Sequence, residues 1–373
     1  MMKRKMKFLI LSAIIAVSSI CVSAAEKKAY QFVPDAKNCI QAKFRDLPAD
    51  FEKLLVSEPE IWNFGFRPYG SSASQLWTDP ILQREALTGG ETEGKKVVAL
   101  SVSCSVKGFS ILVFRAEPDL KKSLAEGKRL PSGSLECFFA PGDADIDKIE
   151  HYYQFMLYAT KPKVSCYPWF VDDRNFRSIE NHITAETKIL SNGYITKIDV
   201  PWEPLFDRLP FTDRKDSFWR LSVIANGQTW GGVVHQANQA GYIRWPEFTQ
   251  AQKTAIMKNL LWKAWNAYQN ESGSIDLAKA NIPYRREPYY LEKDSKLPHS
   301  YKLYVEDFAF REPWLENAVA ERNALGAKIV ELEKLSPAEQ VTFYKKAADM
   351  LFNYRYDVEE AYRKHMKKSI FKR

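Results

Sequence analysis

The residues with the most chemistry to offer are not catalytic in their spacing. The histidines, His151, His182, His235, His299 and His365, are scattered, and the chain contains neither H-E-x-x-H nor G-x-S-x-G. Asp172 and Asp173 are adjacent, so in a strand they face opposite sides and cannot act as a facing acid–base pair. Asp143, Asp145 and Asp147 alternate like the start of a calcium loop. The comparison then fails, because Lys148 stands where that loop needs glycine and Gln154 where it needs glutamate. These three aspartates remain weak candidates for a looser calcium site, and no other cofactor is implied. The aromatic residues are more suggestive. Trp230 follows the turn Asn226-Gly227-Gln228 and precedes Gly231-Gly232, Trp77 stands in Gln75-Leu76-Trp77-Thr78-Asp79-Pro80, and Trp169 follows Cys166-Tyr167-Pro168. Such loop tryptophans can lie as plates against a flat ligand face, with Asn226, Gln228, Arg115 and Glu136 as polar partners that read its edge.

The elements that must carry these residues change character near residue 250. Before it, short β-branched and aromatic runs alternate with turn signals. Val97 to Val106, Phe109 to Arg115, Ser134 to Phe139, Tyr152 to Tyr158, Gly193 to Val200 and Phe218 to Ala225 are expected strands. Lys107-Gly108, Pro141-Gly142 and Asn192-Gly193 mark breaks between them. Strands joined by short turns, without amphipathic helices between them, predict a mainly β chain built on an antiparallel sandwich. After residue 250 the apolar period becomes helical. Met257, Leu260, Leu261, Ala264 and Tyr268 form one stripe, and Leu315, Val319, Arg322, Ile329 and Leu332 fall at near-heptad steps. Ser336-Pro337-Ala338-Glu339 is a capping box with proline at the first helical position. It opens an expected helix that carries Val341, Tyr344, Ala348, Leu351, Val358 and Tyr362 on one side. Residues 308–370 are therefore expected to make an αα-hairpin.

The N-terminus has the form of an export leader. Lys3, Arg4, Lys5 and Lys7 precede an apolar run from Phe8 to Val17, too short to span a bilayer, and Val22-Ser23-Ala24 is a small-x-small cleavage site. Cys21 invites a lipoprotein alternative, but Ile20 stands where a small residue should precede a lipidated cysteine. The expected organisation is a signal peptide (1–24), an N-terminal extension packing on the sandwich (25–59), the sandwich (60–250) and a helical extension (251–373). The protein is expected to be periplasmic, secreted or on the cell surface, with no membrane span once the leader is removed. Of the net charge of +8, four units lie in the leader, and the balance that remains is too small for a dedicated nucleic-acid binder. Cys39, Cys104, Cys137 and Cys166 follow the leader; in an exported chain they permit two disulfides, with buried free thiols as the alternative.

Five short segments, in order, resemble the strands of family 9 carbohydrate-binding modules and their DOMON-like relatives. They are Ser134 to Asp143 with Glu136 at its centre, Tyr153-Gln154-Phe155, Gly193 to Trp202, Trp219 to Val223, and Gly241-Tyr242 through Pro246-Glu247-Phe248. The likeness spans about residues 60–250. It departs from the family pattern at Ser134, Ser222, Ala225 and Thr249. The resemblance implies non-catalytic glycan binding, with a terminal sugar held between tryptophans and read by charged and amide side chains. It also implies that relatives of this fold hold structural calcium, or haem through a strand methionine, for which Met156 is the counterpart. The competing function class is a structural or assembly protein whose hairpin, residues 308–370, binds a partner or a second copy. The same stripe can instead pack back on the sandwich.

Overall fold

Runs such as Val98–Cys104 and Gly108–Ala116 are apolar on both sides of the strand, which requires a sheet covered on both faces. A computed structural model shows how that is met. It describes residues 39–68, 97–117, 120–127, 134–141, 152–158, 165–169, 183–212, 217–231, 240–271, 275–276, 302–303, 313–354 and 357–358, all within one unit, Ala36–Arg373.

In chain order the strands are β1 (Cys39–Gln41), β2 (Lys43–Phe44), β3 (Arg67–Pro68), β4 (Val98–Cys104), β5 (Gly108–Ala116), β6 (Ser134–Ala140) and β7 (Tyr152–Tyr158). They continue with β8 (Ser165–Trp169), β9 (Thr184–Ile189), β10 (Gly193–Pro201), β11 (Phe218–Ala225), β12 (Gln228–Trp230), β13 (Gly241–Arg244) and the pair β14 (Ile275–Asp276) and β15 (Lys302–Leu303). One sheet of eight strands has the order β1-β13-β11-β6-β7-β8, with β12 on β11 and β3 on β12; the other, of five, runs β2-β4-β5-β10-β9. The chain is thus a two-sheet sandwich with C-terminal helices. Its pairing is antiparallel except at one edge of each sheet. There β1 lies parallel to β13 and β2 parallel to β4, with only Ala42 between β1 and β2. The N-terminal segment therefore steps from one sheet to the other and places Ile40 and Ala42 in the core.

Alternation divides each strand between two layers. Val98, Leu100, Val102, Ile111 and Val113 meet Leu135, Cys137, Phe139, Phe155 and Val223 of the other sheet. Ala99, Leu112, Phe114 and Ile195 face the opposite way and are covered by Phe51, Leu54, Leu55, Ile61 and Trp62. Each such large side chain contributes about 1.5–3 kcal/mol on leaving water, so the second layer explains why β4 and β5 are buried along nearly their whole length.

The helices α1 (Leu54–Ser57) and α2 (Leu120–Ala125) are short. Four more follow the sheets: α3 (Gln250–Glu271), α4 (Pro313–Asn323), α5 (Leu325–Val330) and α6 (Pro337–Phe352). The expected first arm of the hairpin is two helices, α4 and α5, broken at Ala324. The capping box at Ser336 and Glu339 is present, and Glu339 accepts a bond from the Ser336 backbone N–H at 2.9 Å. Leu315, Leu325, Ile329, Leu332, Tyr344, Ala348 and Leu351 are buried in the same core as the sheets, with Met257, Leu260 and Leu261 of α3. The hairpin's apolar side therefore packs within the chain. Gly326 lets α5 lie against α3, since a Cβ there would stand 2.6 Å from the Trp265 ring. The Tyr344 hydroxyl donates to the Phe206 carbonyl at 3.0 Å, and the Phe206 and Phe352 rings stack at 4.4 Å.

Of the two alternatives open to the cysteines, the described thiols take the second, because Cys39, Cys104 and Cys137 are free. Register explains why Cys137 cannot reach Cys166: Phe155 of the intervening strand is paired with both. Two strand spacings, about 9.6 Å, exceed the disulfide limit of about 7 Å between Cα atoms. Burial pushes the Cys104 and Cys137 thiols up to about 12, and raises Cys39 despite the Arg244 charge beside it. These three thiols are expected to resist a thiolate-specific reagent at pH 8 in the native chain and to react on unfolding. Native labelling of Cys104 or Cys137, read by mass spectrometry, would contradict the packing described.

Candidate functional site

Opposed residues of antiparallel strands share a face, so the register of β6, β7 and β11 sorts every side chain on them. Leu135, Cys137, Phe139, Tyr153, Phe155, Leu157, Trp219, Leu221 and Val223 point into the sandwich. The outward face carries Glu136, Phe138 and Ala140 on β6, Tyr152, Gln154 and Met156 on β7, and Arg220, Ser222 and Ile224 on β11. Three rows cross it. Ile224, Glu136 and Met156 form one, Ser222, Phe138 and Gln154 the next, and Arg220, Ala140 and Tyr152 the third, with Tyr242 of β13 beside Arg220.

The second and third rows are buried, whereas Glu136, Met156 and Ile224 are half-exposed. The face therefore opens at the Glu136 end. There the Gln154 side-chain amide donates to the Glu136 carboxylate at 3.0 Å, which fixes both groups. Behind them the Phe138 and Tyr152 rings meet at 6.3 Å, tilted by 49°. Burial raises the Tyr152 phenol, which keeps its proton at neutral pH. Arg220 stacks over Tyr242 at 4.2 Å from the ring centre and donates to the Ala240 carbonyl at 3.1 Å. The Ser222 hydroxyl donates to the Gly231 carbonyl at 2.8 Å, so its polar atom is committed to the backbone.

The residues expected to form one site are divided by the sheet. Trp230 is corrected from ligand plate to core. It is 0% exposed, lies inward opposite Val223, and donates its indole N–H to the Asn63 side-chain carbonyl at 2.9 Å. Gln228, two residues earlier, shares that inward side and stands opposite Ala225. Asn226 and Gly227 both have positive φ, 50° and 70°, so Asn226 serves a tight hairpin turn of the Asn-Gly kind. Arg115 is also corrected to core: it is buried, stacks on Tyr194 at 4.3 Å and donates to the Thr196 hydroxyl at 3.3 Å. Glu136 looks outward, and Trp169, paired with Tyr152, holds an outward register position. Trp77, Asp143, Asp145 and Asp147 lie outside the described residues, as does the side chain of Trp169. Met156 does not enter the sandwich but stands outward beside Glu136.

The residues missed by sequence reasoning are Gln154, Phe138, Tyr152, Arg220 and Ile224. A signal existed for Gln154, a polar residue in an otherwise apolar strand. Chemically, the Glu136 end pairs a fixed carboxylate with an amide next to a thioether and an aliphatic side chain. That combination can accept and donate hydroxyl hydrogen bonds against an apolar wall. Among the described residues no three His, Cys, Asp or Glu side chains are grouped to hold a metal, and no helix is long and apolar enough to cross a membrane.

No protein-family model and no curated protein matches the chain. Among solved structures it is similar to a family 9 carbohydrate-binding module from Caldicellulosiruptor kristjanssonii in complex with glucose. The identity is 11%, the match covers 57% of this chain and 97% of that one, and the TM-score is 0.32. With the module from the same organism in complex with cellotriose, the identity is 11%, the coverage 57% and 95%, and the TM-score 0.34. What the outward face can bind is decided by its own side chains.

Proposed function

We propose that the chain is an exported, non-catalytic carbohydrate-binding protein that takes sugar hydroxyls at the Glu136 end of the outward sheet face. The observation that carries this is the 3.0 Å bond between Gln154, in the buried second row, and Glu136, which stands in the outer row with half-exposed Met156 and Ile224. A carboxylate and an amide held side by side reproduce the donor and acceptor pattern of adjacent hydroxyls, and the neighbouring apolar atoms suit the C–H face of a ring. Export rests on the Lys3 to Ala24 leader. Calcium, if it takes part, would have to use residues such as Asp143, Asp145 and Asp147. The assembly function through residues 308–370 draws less support, because the apolar side of α4 to α6 is spent within the chain's own core.

The test is a glycan-array and affinity-gel screen, with and without calcium, beside a Glu136→Gln variant. That substitution keeps the shape and removes the charge. Hydrogen bonds to charged groups contribute about 1.5–3 kcal/mol, so binding is expected to weaken by roughly 10- to 100-fold. A folded chain that binds no glycan, or a variant that binds as tightly as the original, would overturn this assignment.

A further inference from the structure

We propose that the chain forms a two-fold dimer through the open edge of β9, each Thr184–Ile189 strand pairing antiparallel with its partner's about Thr187. Among the described residues β9 is the last strand of its sheet and is paired only with β10. Which backbone groups it leaves over follows from the turn. The Leu190 N–H bonds the Gly193 carbonyl at 2.8 Å, so Leu190 and Gly193 form a hydrogen-bonded pair. Antiparallel pairs alternate, hence Lys188, Glu186 and Thr184 bond to β10 through Ile195, Lys197 and Asp199. The N–H and C=O groups of Ile189, Thr187 and Ala185 point away from the sheet.

A second copy is the occupant that this edge fits. With Thr187 on the axis, the outward groups match themselves: Thr187 exchanges bonds with the partner's Thr187, and Ala185 with the partner's Ile189. The same register sets Glu186 opposite the partner's Lys188, twice by symmetry. In these non-hydrogen-bonded pairs the Cα atoms stand only about 4.5 Å apart, so opposite charges attract at close range. A parallel, in-register pairing would set Glu186 on the partner's Glu186 and repel. The charges that ordinarily protect an edge thus select one antiparallel mate. Glu186 is 51% exposed, and its own lysines lie no closer than 3.7 Å, at Lys197, and 3.8 Å, at Lys188. Lys188 is held in place by Glu52 at 2.9 Å and over the Phe51 ring at 4.6 Å. Ile189 is 43% exposed and, with Val56, lines an open cavity of about 680 Å³ at the end of the strand, whose wall also carries Glu52, Lys53 and Lys121.

Sedimentation velocity over a dilution series tests this, with Glu186→Lys and Thr187→Pro variants. Glu186→Lys turns both cross-dimer attractions into repulsions at an exposed position. Thr187→Pro removes an edge N–H that β10 does not use, which an edge strand tolerates. The original chain should be a dimer that dissociates on dilution, and each variant should raise the dissociation constant at least about tenfold with an unchanged circular dichroism spectrum. If Thr187→Pro does not fold, Glu186→Lys decides alone. A chain that is monomeric at every concentration, or a dimer that survives Glu186→Lys, would overturn the proposal.

Discussion

Replacing Trp219 with alanine is expected to cost about 4 kcal/mol of stability, within the range of about 3–5 kcal/mol for emptying a buried aromatic site. Trp219 is fully buried at the helical end of the sandwich. Its ring stands 4.9 Å from Trp245, 5.7 Å from Phe109, 6.1 Å from Phe139 and 6.2 Å from Trp202. These neighbours come from both sheets and from the strand leading into α3, so none can collapse into the space without breaking another contact. Domains of this kind are stable by about 5–15 kcal/mol, so the loss would remove a large fraction of the total. The indole N–H of Trp219 has no partner among the described residues, whereas that of Trp202 donates to the Ser105 carbonyl at 2.8 Å. Trp219→Phe should therefore cost only its volume, about 1–2 kcal/mol. Trp202→Phe should cost more, because it also leaves the half-buried Ser105 carbonyl without its donor. Urea denaturation midpoints at an unchanged slope would measure all three. A Trp219→Ala loss below about 1 kcal/mol would show that this end of the core is not packed as described.

Of the two ways to break the Arg322–Asp357 ion pair, removing the acid should do more damage. Arg322 donates to Asp357 at 2.7 Å and to the Met350 carbonyl at 2.6 Å, and lies over the Tyr354 ring at 4.9 Å. It ties α4 to the end of α6. The two side chains differ in access to water: Arg322 is 3% exposed and Asp357 35%. Asp357→Ala strands a buried guanidinium without its counter-charge, at a cost of about 3 kcal/mol. Arg322→Met leaves a carboxylate that water can reach and keeps apolar volume in the core, so about 1–2 kcal/mol is expected. Thermal unfolding of both variants at neutral pH gives the order. The reverse order would mean that Arg322 acts mainly by packing and that its charge is reached by solvent.

Local physics made much of the fold legible. Tyr152–Tyr158 and Phe218–Ala225 occupy the expected residues, because their apolar and β-branched content forms a strand whichever neighbours pair with it. The Ser336 capping box and the Asn226-Gly227 turn are equally local, since the side chain or the positive φ acts within four residues. The short strands β1, β2, β12 and β13 had no such signal. Cys39 pairs with Tyr242, some two hundred residues away, and three residues of parallel strand have no periodicity to detect. Strand β9 was missed because it is an edge: its residues alternate between exposed and half-exposed, so Thr184–Ile189 never forms an apolar run.

The candidate site was less legible, for a related reason. Alternation shows that Glu136 and Cys137 must face opposite ways, but not which of them meets the second sheet. That is settled only when β6 takes its place between β11 and β7, with the five-stranded sheet beneath. The same event buries Trp230 and Arg115, both of which the sequence alone places at strand ends suited to ligand contact. By itself the sequence determined the longer strands, the helices and the Ser336 cap, because those depend on neighbours within a few residues. Tertiary structure decided which face is dry, which tryptophan is core and where a carboxylate and an amide meet, because burial belongs to the assembled layers and not to any one segment.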